Sequence, residues 1–500
     1  MGLNLGKLAC LAVIVIMVSV VALAGAAHVG IVNASTEVTG IITSDTTWTK
    51  AGSPYDLKGP VAVYSGVTLT VEAGATVNLN QYYIQVNGTL TARGTDNDKI
   101  HFNGGSITFT SVSTGWNEQA NSGSILENAV LTDSISISGV SVKVTKSSFS
   151  GISIDGGSST VSYNTIDSVY IANGSPLISN NKISGDFTMR GGSPTVTANT
   201  IQGRPWVRGG SPVISDNKIY DGIHADASGG PVTISNNEIS SKTNYRLIYV
   251  AGVHADISGN KIIGNNNNPA GISVGGVLSS ATITQNQIFG CQTGINVDQC
   301  DVQISRNVIL NNNIGVNIVF RAPIAGATGP WGTNPTAEIT ENTITKNSLG
   351  IQYAPYVRTS TIANNNIYAN SQYNFKLQYP NDIAIPDNWW GTSDTQAINQ
   401  TIFDFKNDFN LGTVTFTPFL AAPNPEAPAE TYVPPPTTSI PTPTPYTPPS
   451  QTPTSSPANS PTPSQPTLTP EQITTIVGAA IVAIVIGAAV GLLIYLVKRK

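Results

Sequence analysis

A short motif repeated at a fixed interval constrains this chain more than any other feature. Gly174-Ser-Pro-Leu-Ile-Ser-Asn-Asn-Lys-Ile183 is followed by Gly192-Ser-Pro-Thr-Val-Thr-Ala-Asn-Thr-Ile201 and Gly210-Ser-Pro-Val-Ile-Ser-Asp-Asn-Lys-Ile219, one unit every 18 residues. That interval is too short for a helical-hairpin repeat and suits one coil of a parallel β-helix. Within each unit, alternating runs such as Phe187-Thr-Met189 and Val213-Ile-Ser215 predict strands with one face inward, and Gly, Ser-Pro and Asn predict the corners. One coil cannot bury its own apolar face, but stacked coils can, at the roughly 4.8 Å spacing of neighbouring strands.

Composition agrees with a turn-rich solenoid. Charged residues make up 11% of the chain, against about 25% in an average soluble domain, and glycine is abundant. A net charge of -5, with no basic stripe outside the C-terminal tail, argues against a nucleic-acid partner.

In chain order, residues 1–34 read as a secretory signal peptide, with Lys7 ahead of a continuous apolar run and small-residue cleavage sites at Ala24-Gly-Ala26 and Val32-Asn-Ala34. Residues 35–420 read as the β-helix with its C-terminal cap. Residues 421–470 are rich in Pro, Thr and Ser and predict an extended, disordered stalk. Residues 473–497 are apolar enough for a transmembrane helix, and Lys498-Arg-Lys500 marks a cytoplasmic tail.

The opening coils carry Leu69-Thr-Val-Glu-Ala-Gly74, Gly88-Thr-Leu-Thr-Ala-Arg-Gly-Thr95 and Ile100-His-Phe102. This order resembles the first coils of right-handed parallel β-helix surface proteins, the group of carbohydrate-binding and sugar-hydrolase repeats and of periplasmic copper-binding-like repeats. The resemblance implies an all-β, right-handed parallel β-helix. It says little about activity, because many chemistries share the scaffold. The ending, Asn388-Trp-Trp-Gly391 and on to Leu420, resembles the same group's cap, with Trp389 and Trp390 closing the open end of the core.

From Asn164 to Asn365 an Asn-x-Ile/Val mark recurs, at Asn164, Asn181, Asn199, Asn217, Asn237, Asn260, Asn286, Asn307, Asn342 and Asn365. The apolar residue two places on should face the core. Each Asn should take a left-handed bend and stack on its neighbours in an amide ladder.

Aligning coils on that mark sends Tyr170/Ala172, Phe187/Met189, Pro205/Val207, Ile223/Ala225 and Ile248/Val250 inward. Ile171, Thr188, Trp206, His224 and Tyr249 then face out, followed by Ser273, Asn296, Asn317, Gln352 and Lys376, with Arg190, Arg208, Arg204 and Asp226 alongside. The candidate ligand-binding residues are therefore Trp206, His224, Tyr249, Arg190, Arg208 and Asp226, together with Trp331 in an insertion spanning 321–336. Ring faces beside polar groups suit a sugar, whereas an aromatic ladder that only stabilises the sheet is the simpler alternative. Paired aspartates for hydrolysis and clustered aspartates for a Ca²⁺-dependent lyase are not recognisable, and no catalytic residue, metal site or cofactor is assigned. His254-Ala-Asp256 echoes His224-Ala-Asp226 but falls at a different place in the coil. Cys291 and Cys300 flank one strand and leave a disulfide open. Asn87, Asn173 and Asn399 begin glycosylation sequons.

The functional expectation is a membrane-anchored cell-surface protein for recognition or adhesion, binding polysaccharide or envelope glycan without catalysis. The alternatives are a polysaccharide lyase or glycoside hydrolase, and a structural envelope protein.

Overall fold

The computed structural model describes residues 35–226, 229–241, 243–276, 278–320, 336–354 and 360–431. The predicted leader, the insertion with Trp331, and the expected stalk from 432, transmembrane helix and tail lie outside them. Among the described residues, no helix is long and apolar enough to cross a membrane.

The described chain winds through three parallel faces per coil. In the founding repeat, Leu177–Ser179, Thr195–Thr197 and Val213–Ser215 pair in register on the first face. Lys182–Ile183, Thr200–Ile201 and Lys218–Ile219 pair on the second, and Phe187–Met189, Pro205–Val207 and Ile223–Ala225 on the third. The first face is a 15-stranded sheet; the other two join into one 29-stranded sheet, because strands such as Ser148–Asp155 and Thr165–Asn173 pass from one to the other unbroken. Gly174, Gly192 and Gly210 stack at the corner leading to the first face, all at positive φ. A Cβ on Gly192 would lie 1.9 Å from the Gly174 carbonyl oxygen, so the repeat requires glycine there.

The core fills as the Asn-x-Ile register requires. Ile166, Ile183, Ile201, Ile219, Ile239, Ile262, Ile288, Ile309, Ile344 and Ile367 are all 0–1% exposed. The amide ladder also forms. From Asn181 on, each Asn side-chain oxygen accepts from the backbone N–H and the Nδ2 of the Asn one coil before, as between Asn181 and Asn199 at 2.9 and 3.0 Å; the Asn164 oxygen accepts from the Ser147 N–H. The chain of contacts runs from Asn164 to Asn388. The predicted bend position is corrected by one residue. The left-handed φ belongs to the residue before each Asn, including Tyr163, Asn180, Ala198, Asp216 and Arg306. This turns the chain so that the Asn side chain points into the corner, where its amide also caps backbone carbonyls such as Val161 O.

Past Asn365 the cap follows. Asn388 ends the ladder, and Trp390, two residues on, takes the place that isoleucine holds in earlier coils, at 2% exposure. Trp389 is half-buried and bridges to Asn366. A short helix, Thr395–Gln400, is N-capped by Asp394, whose carboxylate accepts from the N–H groups of Gln396 and Ala397. The ordered body continues past the expected boundary at 420. Asn424 pairs reciprocally with Asn366, the Thr343 hydroxyl donates to Pro428 O, and Glu430 meets both Lys346 and the Tyr368 hydroxyl. Residues 421–431 are thus held against the flank of the last coils by hydrogen bonds that composition does not reveal.

Candidate functional site

On the third face the outward column runs Tyr170, Thr188, Trp206, His224, Tyr249, Ser273, Asn296, Asn317, Gln352 and Lys376. All but the first match the sequence register. Tyr170 is 39% exposed and Ile171 is buried, the reverse of the expectation. From Asn181 to Thr188 is seven residues, with Ser184-Gly-Asp186 turning the corner. From Asn164 to Tyr170 is six, because Thr165–Asn173 runs through as one strand. A missing corner residue inverts the pleat.

Trp206, His224 and Tyr249 stand on successive coils. Trp206 and His224 stack with ring centroids 4.1 Å apart and 27° between planes; His224 and Tyr249 are 4.7 Å apart and tilted by 49°. The rings therefore turn faces toward one another. Guanidinium groups lie over the rings of this face: Arg208 is 5.0 Å from the Trp206 centroid, Arg246 is 5.2 Å from Tyr249, and Arg190 is 5.9 Å from Tyr170, which Thr188 separates from the stack.

A groove of about 540 Å³ opens beside the stack. Its shape comes from coil length. Gly185 and Gly203 line the floor of two short coils, and a Cβ on Gly203 would fall 2.1 Å from the Gly185 carbonyl oxygen. The Asn237–Asn260 coil is longer, at 23 residues, and contributes Tyr245 and Arg246 to the lining. Asp186, Arg204 and Asp221 complete the polar lining. Arg204 is held rigidly: its Nε donates to Asp221 O at 2.8 Å, its Nη2 lies 3.5 Å from Asp221 Oδ1, and its plane lies 4.3 Å from the Tyr245 ring centroid. The Ser241 and Thr243 hydroxyls donate to the same Asp221 carboxylate. Sequence reasoning noted Arg204 only in passing and missed Tyr245, Arg246, Asp186 and Asp221. Its usable signals were the aligned glycines and the lengthened coil.

His224 Nε2 lies 3.5 Å from Asp226 Oδ2. Burial between the rings nevertheless pushes the imidazole below its usual pKa, with Arg204 and Arg208 adding to that and Asp226 opposing it. A histidine with a lowered folded pKa contributes stability that is present above its unfolded value, about 6.5, and is lost as pH falls through the folded value. The thermal midpoint should therefore drop on acidification below about pH 6.5, and His224→Gln should flatten that slope in a pH series of melting curves. An unchanged slope in the variant would contradict the assignment.

Other expected residues are dispersed. His254 lies on the first face, with Nε2 3.4 Å from Asp256 and Nδ1 2.8 Å from the Ser280 hydroxyl, so it shares no site with His224. Cys291 and Cys300 are free, buried thiols, both pushed up to about 12 by desolvation. The strand Thr293–Asp298 separates them; at about 3.3 Å per residue it places the sulfurs at different corners, beyond disulfide reach. Cys291 instead heads a second amide ladder, which the sequence reading overlooked. Its N–H donates to Asn312 Oδ1, and Asn312, Asn347, Asn370 and Asn374 follow. Asn173 and Asn399 are exposed, whereas Asn87 is half-buried and its amide oxygen accepts from Gln85 and Thr110. Among the described residues no group of three His, Cys, Asp or Glu side chains could hold a metal ion.

Residues 206–327, which include the aromatic stack and the lengthened coils, match the family model described as "Right handed beta helix region". No curated protein and no solved structure matches the chain. With parallel faces stacked coil upon coil and only one short helix among the described elements, the chain is a right-handed parallel β-helix repeat protein.

Proposed function

We propose that the β-helix is a cell-surface recognition module that binds polysaccharide in the third-face groove without transforming it. The groove itself carries this reading: its lining joins the rings of Trp206, His224, Tyr249 and Tyr245 with fixed polar groups, a lining suited to a hydroxyl-rich ligand with an apolar ring face. The 58% exposure of Tyr245 leaves it as the ring best placed to meet a sugar. In this proposal the leader 1–34 exports the chain, the Pro/Thr-rich segment up to 470 is the stalk, and residues 473–497 anchor it in the membrane. Glycans at the exposed sequons Asn173 and Asn399 are compatible with that location.

A hydrolase or lyase is less well supported, because Asp221 is engaged by Arg204, Ser241 and Thr243. A structural envelope role is favoured by one observation, the stacking of Trp206, His224 and Tyr249 on each other. Trp206→Ala separates binder from scaffold. The account expects modest destabilisation, about 0.5–1.5 kcal/mol for the lost ring pair, and a loss of glycan affinity of about 1–3 kcal/mol. Equal affinity in a folded variant, read by calorimetric titration, would favour the scaffold.

A further inference from the structure

We infer that the ring column, with the groove on one side and Arg190 and Arg208 beside it, selects an anionic saccharide, one bearing carboxylate or sulfate groups; this rests on the polysaccharide reading above. Arginines flank the ring column: Arg204 and Arg246 line the groove, whereas Arg190 and Arg208 lie outside its lining, each one residue past a strand end, at Met189 and Val207. Arg190, Arg204, Arg208 and Arg246 all surround the ring column. Arg204 is neutralised by Asp221. Arg190, Arg208 and Arg246 are exposed, and among the described residues none of them has an ion-pair partner; each instead lies near an aromatic ring. By contrast, Arg306 pairs with Glu341.

A guanidinium held by a ring keeps its in-plane N–H donors directed outward, the geometry that takes a carboxylate or sulfate in a bidentate pair. Arg190 and Arg208 follow Ile171 and Met189 at the same position of adjacent coils, donating their backbone N–H groups to Ile171 O and Met189 O. Their separation is thus about one strand spacing, roughly 4.8 Å. Arg246 sits across the ring column on the groove wall. A polymer lying along the solenoid axis would meet positive charge on both sides. The acidic groups nearby are Asp186 on the groove rim, Asp221 bound to Arg204, and Asp226 beside His224. Asp226 holds the position of Arg190 and Arg208 one coil further on, so with Asp221 spent on Arg204 the three ring-held arginines exceed the Asp186 and Asp226 carboxylates by one positive charge.

The test uses the full chain in detergent on three immobilised polymers: polygalacturonate for carboxylate, heparin for sulfate and dextran as the neutral control. Retention on at least one anionic polymer and not on dextran is expected, weakening as salt screens the contacts, and whichever anionic polymer is retained identifies the group. Arg190→Gln/Arg208→Gln/Arg246→Gln should lower that retention at least tenfold while circular dichroism stays unchanged, since all three side chains are exposed. Dextran retention equal to that on the anionic polymers, sensitive to Trp206→Ala, would overturn the anionic assignment and leave the saccharide reading intact. Undiminished retention of the triple variant would also overturn the assignment. No retention on any of the three would overturn both.

Discussion

Replacing Asn237 with leucine should destabilise the β-helix by about 4 kcal/mol or more, at the severe end for a point substitution. Asn237 is 1% exposed and occupies the middle of the first amide ladder. Its Oδ1 accepts from the backbone N–H and Nδ2 of Asn217 at 2.9 and 3.0 Å. Its Nδ2 donates to Ile214 O, Ser235 O and Asn260 Oδ1 at 2.9, 3.0 and 3.0 Å. Leucine has the same branched shape but neither donates nor accepts, so it leaves partners in the neighbouring coils buried and unsatisfied, and each such group costs about 1–3 kcal/mol. Coils contact only their neighbours, so a break here should also divide the stack into weakly coupled halves. Urea unfolding should show a lower midpoint and a shallower transition. Lys218→Ala, at an exposed position on the adjacent strand, should stay within about 0.5 kcal/mol of the parent. If Asn237→Leu unfolded like Lys218→Ala, the ladder would not be what holds the corners.

Ile219→Asp should be comparably severe for a different reason. Ile219 is fully buried and stacks between Ile201 and Ile239 in the inward column. A carboxylate there has no partner in an apolar column. It must either lose hydration or take up a proton, and both outcomes favour the unfolded chain. Destabilisation of about 4 kcal/mol or more is expected in thermal or urea melts at neutral pH. It should ease at acid pH, where the free carboxyl is already neutral. A melting temperature matching that of the parent would contradict the inward assignment.

These two positions show how far the sequence could be read. Asn and Ile recur at a fixed offset, and a single coil geometry gives both a fixed direction, so core and ladder followed from spacing alone. The left-handed residue before each Asn was harder to read because Tyr163, Ala198 and Arg306 share no side-chain chemistry; the ladder imposes their backbone. Tyr170 and Ile171 exchanged places because one corner lacks a residue, a change of length that an alignment on Asn cannot detect. The second ladder was legible after all. Asn312, Asn347 and Asn370 each follow a first-ladder Asn by five residues, and Cys291 fills that place after Asn286.

The candidate site was legible as a column but not as a groove. Trp206, His224 and Tyr249 came from register. That their rings stack on one another, and that Tyr245, Arg204 and Arg246 join them in lining a groove, depends on side-chain direction and on one longer coil. Periodicity carries neither.

The central functional claim is that this β-helix binds polysaccharide through its third face. The most direct measurement is a glycan array probed with the full chain and, in parallel, with Trp206→Ala. The account predicts a restricted set of bound glycans whose signal falls in the variant while its melting curve stays cooperative. A parent chain that binds no glycan, or a variant with the parent's binding profile, would contradict it.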